Sequence, residues 1–368
     1  MKKKNLCKTL LKTMCIVLGI LILALLAYIV YLYASYYRIE DNQELVVEAP
    51  VDDTTTGAAA VLATDTEYSA VTYNIGFGAY LPDYSFFMDG GTSSWAESPE
   101  TVQYAINGAG ELVKSLDPDF ALIQEIDLDA TRSYHTDEYE MLRNILPEYT
   151  TVFAQNYDSA FLFYPFTQPH GSSRAGLGLF SKYPVSSALR RSFPISTSFS
   201  KFFDLDRCYS VSRIPVDNGK ELVIFNLHMS AYGNSDEIRK GQIEMLCNDM
   251  AKEYEAGNYV LCGGDFNHDL KASEEDEENC ESWAFPFPRT ELPEHFAFCL
   301  DLLSTEEQAA LWNSARNADM EYVPGVTYTV TLDGFIISDN IECLSYENVN
   351  TGYSYSDHDP VKVEFVLK

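Results

Sequence analysis

Between Lys12 and Arg38 the chain carries no charge for 25 residues, from Thr13 to Tyr37. A helix needs about 20 apolar residues to cross the hydrocarbon core of a bilayer, and nothing in the neighbouring sequence would cover so long an apolar helix in a soluble core. Lys2, Lys3, Lys4, Lys8 and Lys12 precede the run, and Tyr28, Tyr31, Tyr33, Tyr36 and Tyr37 crowd its far end. Tyrosines suit the membrane–water interface, and a lysine excess before the helix predicts a cytoplasmic N-terminus with the remainder outside. The rival is a cleaved signal peptide, whose apolar core is ~7–15 residues followed by a small-residue exit. This run is longer and Tyr33-Ala34-Ser35 is a poor exit, so residues 1–38 are expected to be a lysine-rich tip and a single-pass anchor in the cell membrane.

The chain has 25 Lys plus Arg against 55 Asp plus Glu, a net charge of −30. Phosphate backbones are gripped by clustered Lys and Arg, so the excess of acid disfavours a non-specific nucleic-acid binder. Residues 39–66, acidic and rich in Thr and Ala, read as a stalk, with a short strand at Leu45 to Val47. Residues 67–368 read as one domain of acceptable size, expected to work as a monomer.

Within that domain short apolar runs recur, and several alternate with period two, as half-buried strands do. Among them are Ala70 to Ile75, Phe120 to Ile126, Leu222 to His228, Tyr259 to Cys262, Gly334 to Ser338 and Val361 to Leu367. Helices are predicted over Pro99 to Ser115, with Ser98 as N-cap and proline at the first position, and over Asp137 to Leu146, Asp236 to Tyr254 and Thr305 to Ser314. Strands and helices without strict alternation predict an α+β fold of packed sheets with helices outside. Three segments read as insertions: 157–174 with Phe161, Phe163, Tyr164 and Phe166; 194–207 with Phe199, Phe202 and Phe203; and 271–299 with an acidic run at Glu274 to Glu278, then Trp283, Phe285 and Phe287. The acidic run reads as a solvated loop. Aromatic loops beside one site would suit an apolar or flat substrate.

Six cysteines (Cys208, Cys247, Cys262, Cys280, Cys299 and Cys343) lie outside the membrane on this topology, where disulfides are possible. Their irregular spacing does not suggest zinc. Cys262, in an apolar strand, is expected to be a buried thiol, and Cys280 with Cys299 is the pair to test for a bridge.

Polar residues recur where apolar strands end. Asn74 closes Ala-Val-Thr-Tyr-Asn; Glu125 follows Ala-Leu-Ile-Gln; His228 closes Ile-Phe-Asn-Leu-His; Asp265 and Asn267 follow Cys-Gly-Gly; Asp333 precedes a strand; Asp357 and His358 precede Asp359-Pro360 and the last strand. Singly these are turn or cap residues. Together, Thr72-Tyr73-Asn74, Gln124-Glu125, Asn226-Leu227-His228, Gly264-Asp265-Phe266-Asn267, Leu332-Asp333 and Ser356-Asp357-His358-Asp359-Pro360 resemble the endonuclease/exonuclease/phosphatase superfamily over residues 69–368. Gly-Asp-Phe-Asn and Ser-Asp-His are the most specific parts.

The resemblance implies a four-layer α/β sandwich, two packed mixed β-sheets flanked by helices. It implies that Glu125, Asn74 and Asp357 serve a divalent metal, Mg²⁺ with Mn²⁺ or Ca²⁺ as alternatives. It further implies that Asp265 and Asn267 contact the attacking water and the phosphate, that His358 pairs with Asp333, and that His228 binds or protonates a phosphate oxygen. These residue types suit ester hydrolysis: a hard cation takes carboxylate oxygen, and a carboxylate on one imidazole nitrogen fixes the proton on the other. Arg174 is a candidate for the substrate phosphate, and Arg207 has the same standing. Gly334 stands where many nucleases of the superfamily carry Arg or Tyr. Gly76-Phe77-Gly78 begins a dinucleotide fingerprint but Leu81 replaces its third glycine.

The expectation is therefore an extracytoplasmic, membrane-anchored metal-dependent phosphoesterase. The acidic domain, the anchor and the aromatic loops lean toward a phosphodiester in a lipid headgroup or a small phosphorylated compound as its expected substrate. The alternatives are an extracellular nuclease and a non-catalytic binding module on the same fold.

Overall fold

The computed structural model describes residues 2–52, 61–231, 236–273 and 284–368. The acidic run Glu274 to Glu278, Cys280 and Trp283 lie outside the described residues. The chain forms two units, Met1–Arg38 and Ile39–Lys368. The first is a single helix, α1 (Lys2–Ser35), whose stretch Leu6–Ser35 is long and apolar enough to cross a membrane.

The second unit holds two packed mixed sheets with helices. In chain order its strands are β1 (Gln43–Glu44), β2 (Val47–Glu48), β3 (Glu67–Asn74), β4 (Phe120–Ala130), β5 (Thr150–Leu162), β6 (Gly171–Ser181), β7 (Ser187–Ser192), β8 (Cys208–Pro215), β9 (Glu221–His228), β10 (Tyr259–Asp265), β11 (Phe296–Phe298), β12 (Ala315–Arg316), β13 (Thr329–Val330), β14 (Asp333–Ser338), β15 (Ile341–Asn348) and β16 (Val361–Leu367). One sheet runs β1-β7-β8-β9-β10-β14-β11 and the other β15-β16-β3-β4-β6-β5-β2, each seven strands wide. β12 and β13 form a small separate ribbon. The helices are α2 (Pro99–Leu116), α3 (Glu138–Ile145), α4 (Asp236–Glu255) and the short α5 (Thr305–Ala310).

Alternation along each strand divides the core. On β3 and β4, Ala70, Phe120 and Leu122 join the layer between the sheets with Ile224, Leu261, Phe335 and Phe365. Their neighbours Tyr73, Ala121 and Ile123 face the other way, onto Val102, Ile106 and Val113 of α2 and Leu142 of α3. α2 starts where the sequence puts its cap: Ser98 Oγ accepts from the Thr101 amide at 3.1 Å, and Pro99 occupies the first turn. A side-chain oxygen there satisfies one of the amides the first turn leaves open.

The stretch expected as a stalk adds a strand to an edge of each sheet. β1 pairs with β7 and β2 with β5, and Leu62 is fully buried. Two-residue strands are too short to show a period. Cys299 is a buried thiol hydrogen-bonded to Cys343, and Cys262 is fully buried, which holds its thiol well above the ordinary value.

Beneath the site, the two sheets are tied by a buried amide pair. Gln124 Nε2 donates to Asn226 Oδ1 at 2.8 Å, and Asn226 Nδ2 donates to the Gly178 carbonyl at 3.0 Å. Removing one partner strands the other's polar atoms, which costs about 1–3 kcal/mol per group. Asn226→Leu is therefore expected to lower the unfolding free energy by roughly 2–4 kcal/mol, read from urea midpoints. A change under about 0.5 kcal/mol would show that the pair does not tie the sheets.

Candidate active site

The ends of β9 and β10, the start of β14 and the end of β3 converge, and the polar strand-end residues meet there. Gly264 brings two of them side by side. Its φ is +148° and a Cβ would lie 2.1 Å from the Leu227 carbonyl oxygen, so only glycine lets β10 approach β9 this closely. Asp265 then sits across from His228. Glu125 reaches the cluster because β4 breaks register between Ile123 and Ile126, and Glu125 itself takes a φ of +57°. Such a bulge re-aims one side chain without ending the strand.

Asn74 Nδ2 donates to Glu125 Oε1 at 3.2 Å and to Asp265 Oδ2 at 3.0 Å. Its Oδ1 accepts from the Gly76 amide, which fixes which way the amide points. His228 Nε2 lies 3.5 Å from Asp265 Oδ2 and 3.8 Å from Glu125 Oε1. Asn267, at φ +49°, donates from its side chain to the Met229 carbonyl at 2.9 Å and from its backbone to Asp265 Oδ1 at 2.8 Å. His358 Nδ1 meets Asp333 Oδ2 at 2.7 Å, and its Nε2 faces Asp265 Oδ2 at 3.9 Å. Asp357 is linked by Ser356 Oγ, which donates to the Asn74 carbonyl at 2.8 Å and lies 3.2 Å from Asp357 Oδ1.

The site thus brings together Asn74, Glu125, His228, Asp265, Asn267, Asp333, Asp357 and His358. It does not include Arg174, which is exposed and pairs with Asp129 at 3.0 Å. Arg207 is buried instead: its Nη1 donates at 2.8 Å to the same Met229 carbonyl that Asn267 uses, and its Nε has no partner.

Burial dominates the electrostatics. It pushes Asp265 up to about 7 against the pull of His358. It raises Glu125, and the nearby Asp357 charge raises it further; Asp357 is likewise raised by burial. Burial lowers His228 well below the ordinary value, reinforced by Arg207, so its imidazole is neutral. Burial would lower His358 too, but the Asp333 carboxylate overrides it and carries His358 well above the ordinary value. One histidine is thus neutral and the other an imidazolium at neutral pH.

Two oxygen-rich groupings could hold a cation. Atoms of Asp265, Asp333 and His358 lie within 4.8 Å of one another, but His358 would have to give up a proton held by Asp333. Glu125 is raised by burial and by the Asp357 charge, and Asp357 by burial, both of which a bound hard cation relieves.

Sequence reasoning missed the supports. Ser314 Oγ donates to Asp333 Oδ2 at 2.7 Å and accepts from the amides of Leu332 and Asp333. Arg132 is buried, holds Asp127 through two bonds of 3.1 and 2.9 Å, and stacks 3.7 Å over Phe77; its charge opposes the rise of Glu125. No motif marks these residues, because each acts through a partner distant in sequence or across a turn.

Two further histidines bear on stability. Burial lowers His268 to about 4 and His170 to about 3. Above about pH 6.5 both are neutral folded or unfolded. As pH falls from about 6.5 towards those values, the unfolded chain takes up protons the folded chain refuses. Stability is then lost by up to about 1.4 kcal/mol per pH unit for each. His358 has the opposite shift, so its contribution is full below about 6.5 and does not offset this loss. The raised carboxylates of Asp265, Glu125 and Asp357 work in the opposite sense over the same range, so the expected outcome is comparative: between pH 7 and pH 5 the urea midpoint of His268→Gln should fall less, or rise more, than that of the wild type; equal pH slopes would contradict the assignment.

The Endonuclease/Exonuclease/phosphatase family profile matches residues 71–302. No curated protein matches the chain in sequence. Among solved structures, an endonuclease/exonuclease/phosphatase from Beutenbergia cavernae is 14% identical with a TM-score of 0.55, covering 82% of this chain and 72% of its own. The Bacteroides vulgatus endonuclease/exonuclease/phosphatase is 18% identical with a TM-score of 0.52, covering 83% and 100%. ANGEL2, described as a 2′,3′-cyclic phosphatase, is 12% identical with a TM-score of 0.56, covering 82% and 96%.

Proposed function

Because the chain belongs to the endonuclease/exonuclease/phosphatase family, whose members are hydrolases of phosphoesters, we propose that it is a membrane-anchored, extracytoplasmic, Mg²⁺-dependent phosphoesterase. The observation that carries this reading is the pairing of His358 with Asp333 beside Asp265, at the same strand ends that gather Asn74, Glu125 and His228.

Each residue has its own part in the reaction. Glu125 and Asp357, with Asn74 orienting Glu125, would hold the cation. When bound, it supplies a Lewis acid that offsets charge on the phosphoryl oxygens. Asp265, poised near neutral pH, takes a proton from water as that water's oxygen attacks phosphorus. His358 donates its Nε2 proton to the ester oxygen as the P–O bond breaks, and Asp333 stabilises the imidazolium that gives it. Neutral His228 hydrogen-bonds a phosphoryl oxygen, and Arg207 with Asn267 anchors the phosphate from the Met229 side.

The domain's excess of acid favours a lipid headgroup or small phosphate ester over a nucleic-acid backbone. The test uses the full chain in detergent, with Mg²⁺ or EDTA, against bis-p-nitrophenyl phosphate, sphingomyelin vesicles and plasmid DNA. Metal-dependent turnover supports the hydrolase, and preference for DNA would select the nuclease reading. A folded protein that neither turns over any of these nor binds Mg²⁺ would leave only a binding module.

A further inference from the structure

The registers place three features at one end of the catalytic unit. In the first sheet, the Ser192 end of β7 lies beside the Cys208 end of β8, and β8 is registered so that this end lies beside His228 and Asp265. The unit's first residues are fastened at this same end: Ile39 accepts through its carbonyl from Ser192 Oγ at 3.2 Å, and Asp41 Oδ1 accepts from the Ser192 amide at 2.8 Å. The segment from Phe193 to Arg207 also leaves and returns here, exposing Phe199 (45%) and Phe203 (36%).

In the second sheet, β4 runs past Glu125 to Ala130, which pairs with Ser173, and β5 ends at Leu162 opposite Gly171. The tip of that hairpin therefore projects beyond the site, more than roughly 16 Å past Glu125 at about 3.3 Å per residue. It carries Phe163 (51% exposed), Tyr164 (60%) and Phe166 (85%). Single exposed aromatics need no explanation. Two clusters of them, both on site-end loops of a water-facing acidic domain, mark an interaction surface.

Covalent reach identifies the occupant. Helix α1 ends at Ser35 and the catalytic unit is fastened from Ile39. Four extended residues span at most about 14 Å, so an anchored helix limits how far this end of the unit can stand from the bilayer surface. We propose that the site end is a bilayer-docking surface: the aromatic tips at Phe163–Phe166 and Phe199–Phe203 seat in the leaflet that the chain's own helix leaves, and the catalytic cluster faces lipid headgroups. A headgroup phosphoester then reaches the cluster without leaving the membrane. This rests on reading α1 as an uncleaved anchor and the cluster as a phosphoesterase. Aromatic rings are suited to the interface, and the acidic unit fits a zwitterionic lipid surface better than an anionic one.

The test places a reporter at each end of the full-length chain, reconstituted in phosphatidylcholine vesicles containing brominated phosphatidylcholine. Phe166→Trp sits on the hairpin tip, and Asp217→Trp sits on the exposed turn after β8, at the opposite end. Against the native tryptophans common to both, bromine should quench the added emission of Phe166→Trp and spare that of Asp217→Trp. Equal quenching in the two variants, or none in Phe166→Trp, would overturn the docking surface, as would a full-length chain that does not float with the vesicles. This readout needs no turnover, so it is separate from failure of the hydrolase reading, which would appear as no hydrolysis of bis-p-nitrophenyl phosphate. Serine at Phe163, Tyr164 and Phe166 together should lower hydrolysis of vesicle lipid at least tenfold relative to bis-p-nitrophenyl phosphate; an unchanged ratio would also overturn the proposal.

Discussion

His358→Ala should lower kcat towards bis-p-nitrophenyl phosphate by about 10²–10⁴-fold, the range that a positioned general acid contributes, with KM changing far less. The imidazole is held by one strong contact, Nδ1 to Asp333 Oδ2 at 2.7 Å, and its charge is sustained by that carboxylate. Asp333 is in turn held by Ser314. Asp333→Asn keeps the shape and removes the charge, so it should leave the ring in place but ease its proton off, shifting the alkaline limb of the pH–rate profile to lower pH. A merely structural role for the pair would reduce stability in both variants without moving that limb. If His358→Ala turns over at the wild-type rate, proton donation belongs to another group and the proposed division of labour fails.

The parts of this site that could be read from sequence are those whose position along the chain is their position in space. A strand followed by a polar residue puts that residue at a sheet end, and sheets pack with their ends together. Asn74, His228, Asp265 and Asp333 therefore converge as their strands do. The helices were legible for the same reason, since Ser98 and Pro99 state a local rule. What stayed hidden depends on pairing. β1 and β2 exist only because the edges of β7 and β5 are open to them. Arg174 and Arg207 looked alike beside their strands, yet one is exposed against Asp129 and the other is buried against Met229. Burial is a property of the partner surface, and a single sequence does not display it. Ser314 and Arg132 show the same limit: each supports a site residue from a segment with no pattern of its own.

Glu125 offers the sharpest test of the metal. Its carboxylate is aimed by a bulge, fixed by Asn74, and raised by burial and by Asp357. A group so placed is costly to keep charged unless a cation is present. Glu125→Gln retains size and the hydrogen bond from Asn74 but removes one unit of charge. Two unit charges at 4 Å interact by about 4 kcal/mol at an effective dielectric of 20, and part of that is offset because the glutamine need not be desolvated as an ion. We therefore expect Mn²⁺ affinity, measured by the loss of the free-ion electron-spin signal, to fall by about 100-fold, or ~2.7 kcal/mol. Turnover should fall with it and recover partly at high Mn²⁺, while EDTA should abolish turnover in the wild type. Arg174→Ala, which breaks only an exposed ion pair, should leave Mn²⁺ affinity and kcat within about twofold. Were Glu125→Gln to bind Mn²⁺ as tightly as the wild type, the cation would belong instead to the Asp265, Asp333 and His358 grouping. In that case Asp333→Asn rather than Glu125→Gln would weaken binding, and His358 would have to work as a ligand instead of a proton donor.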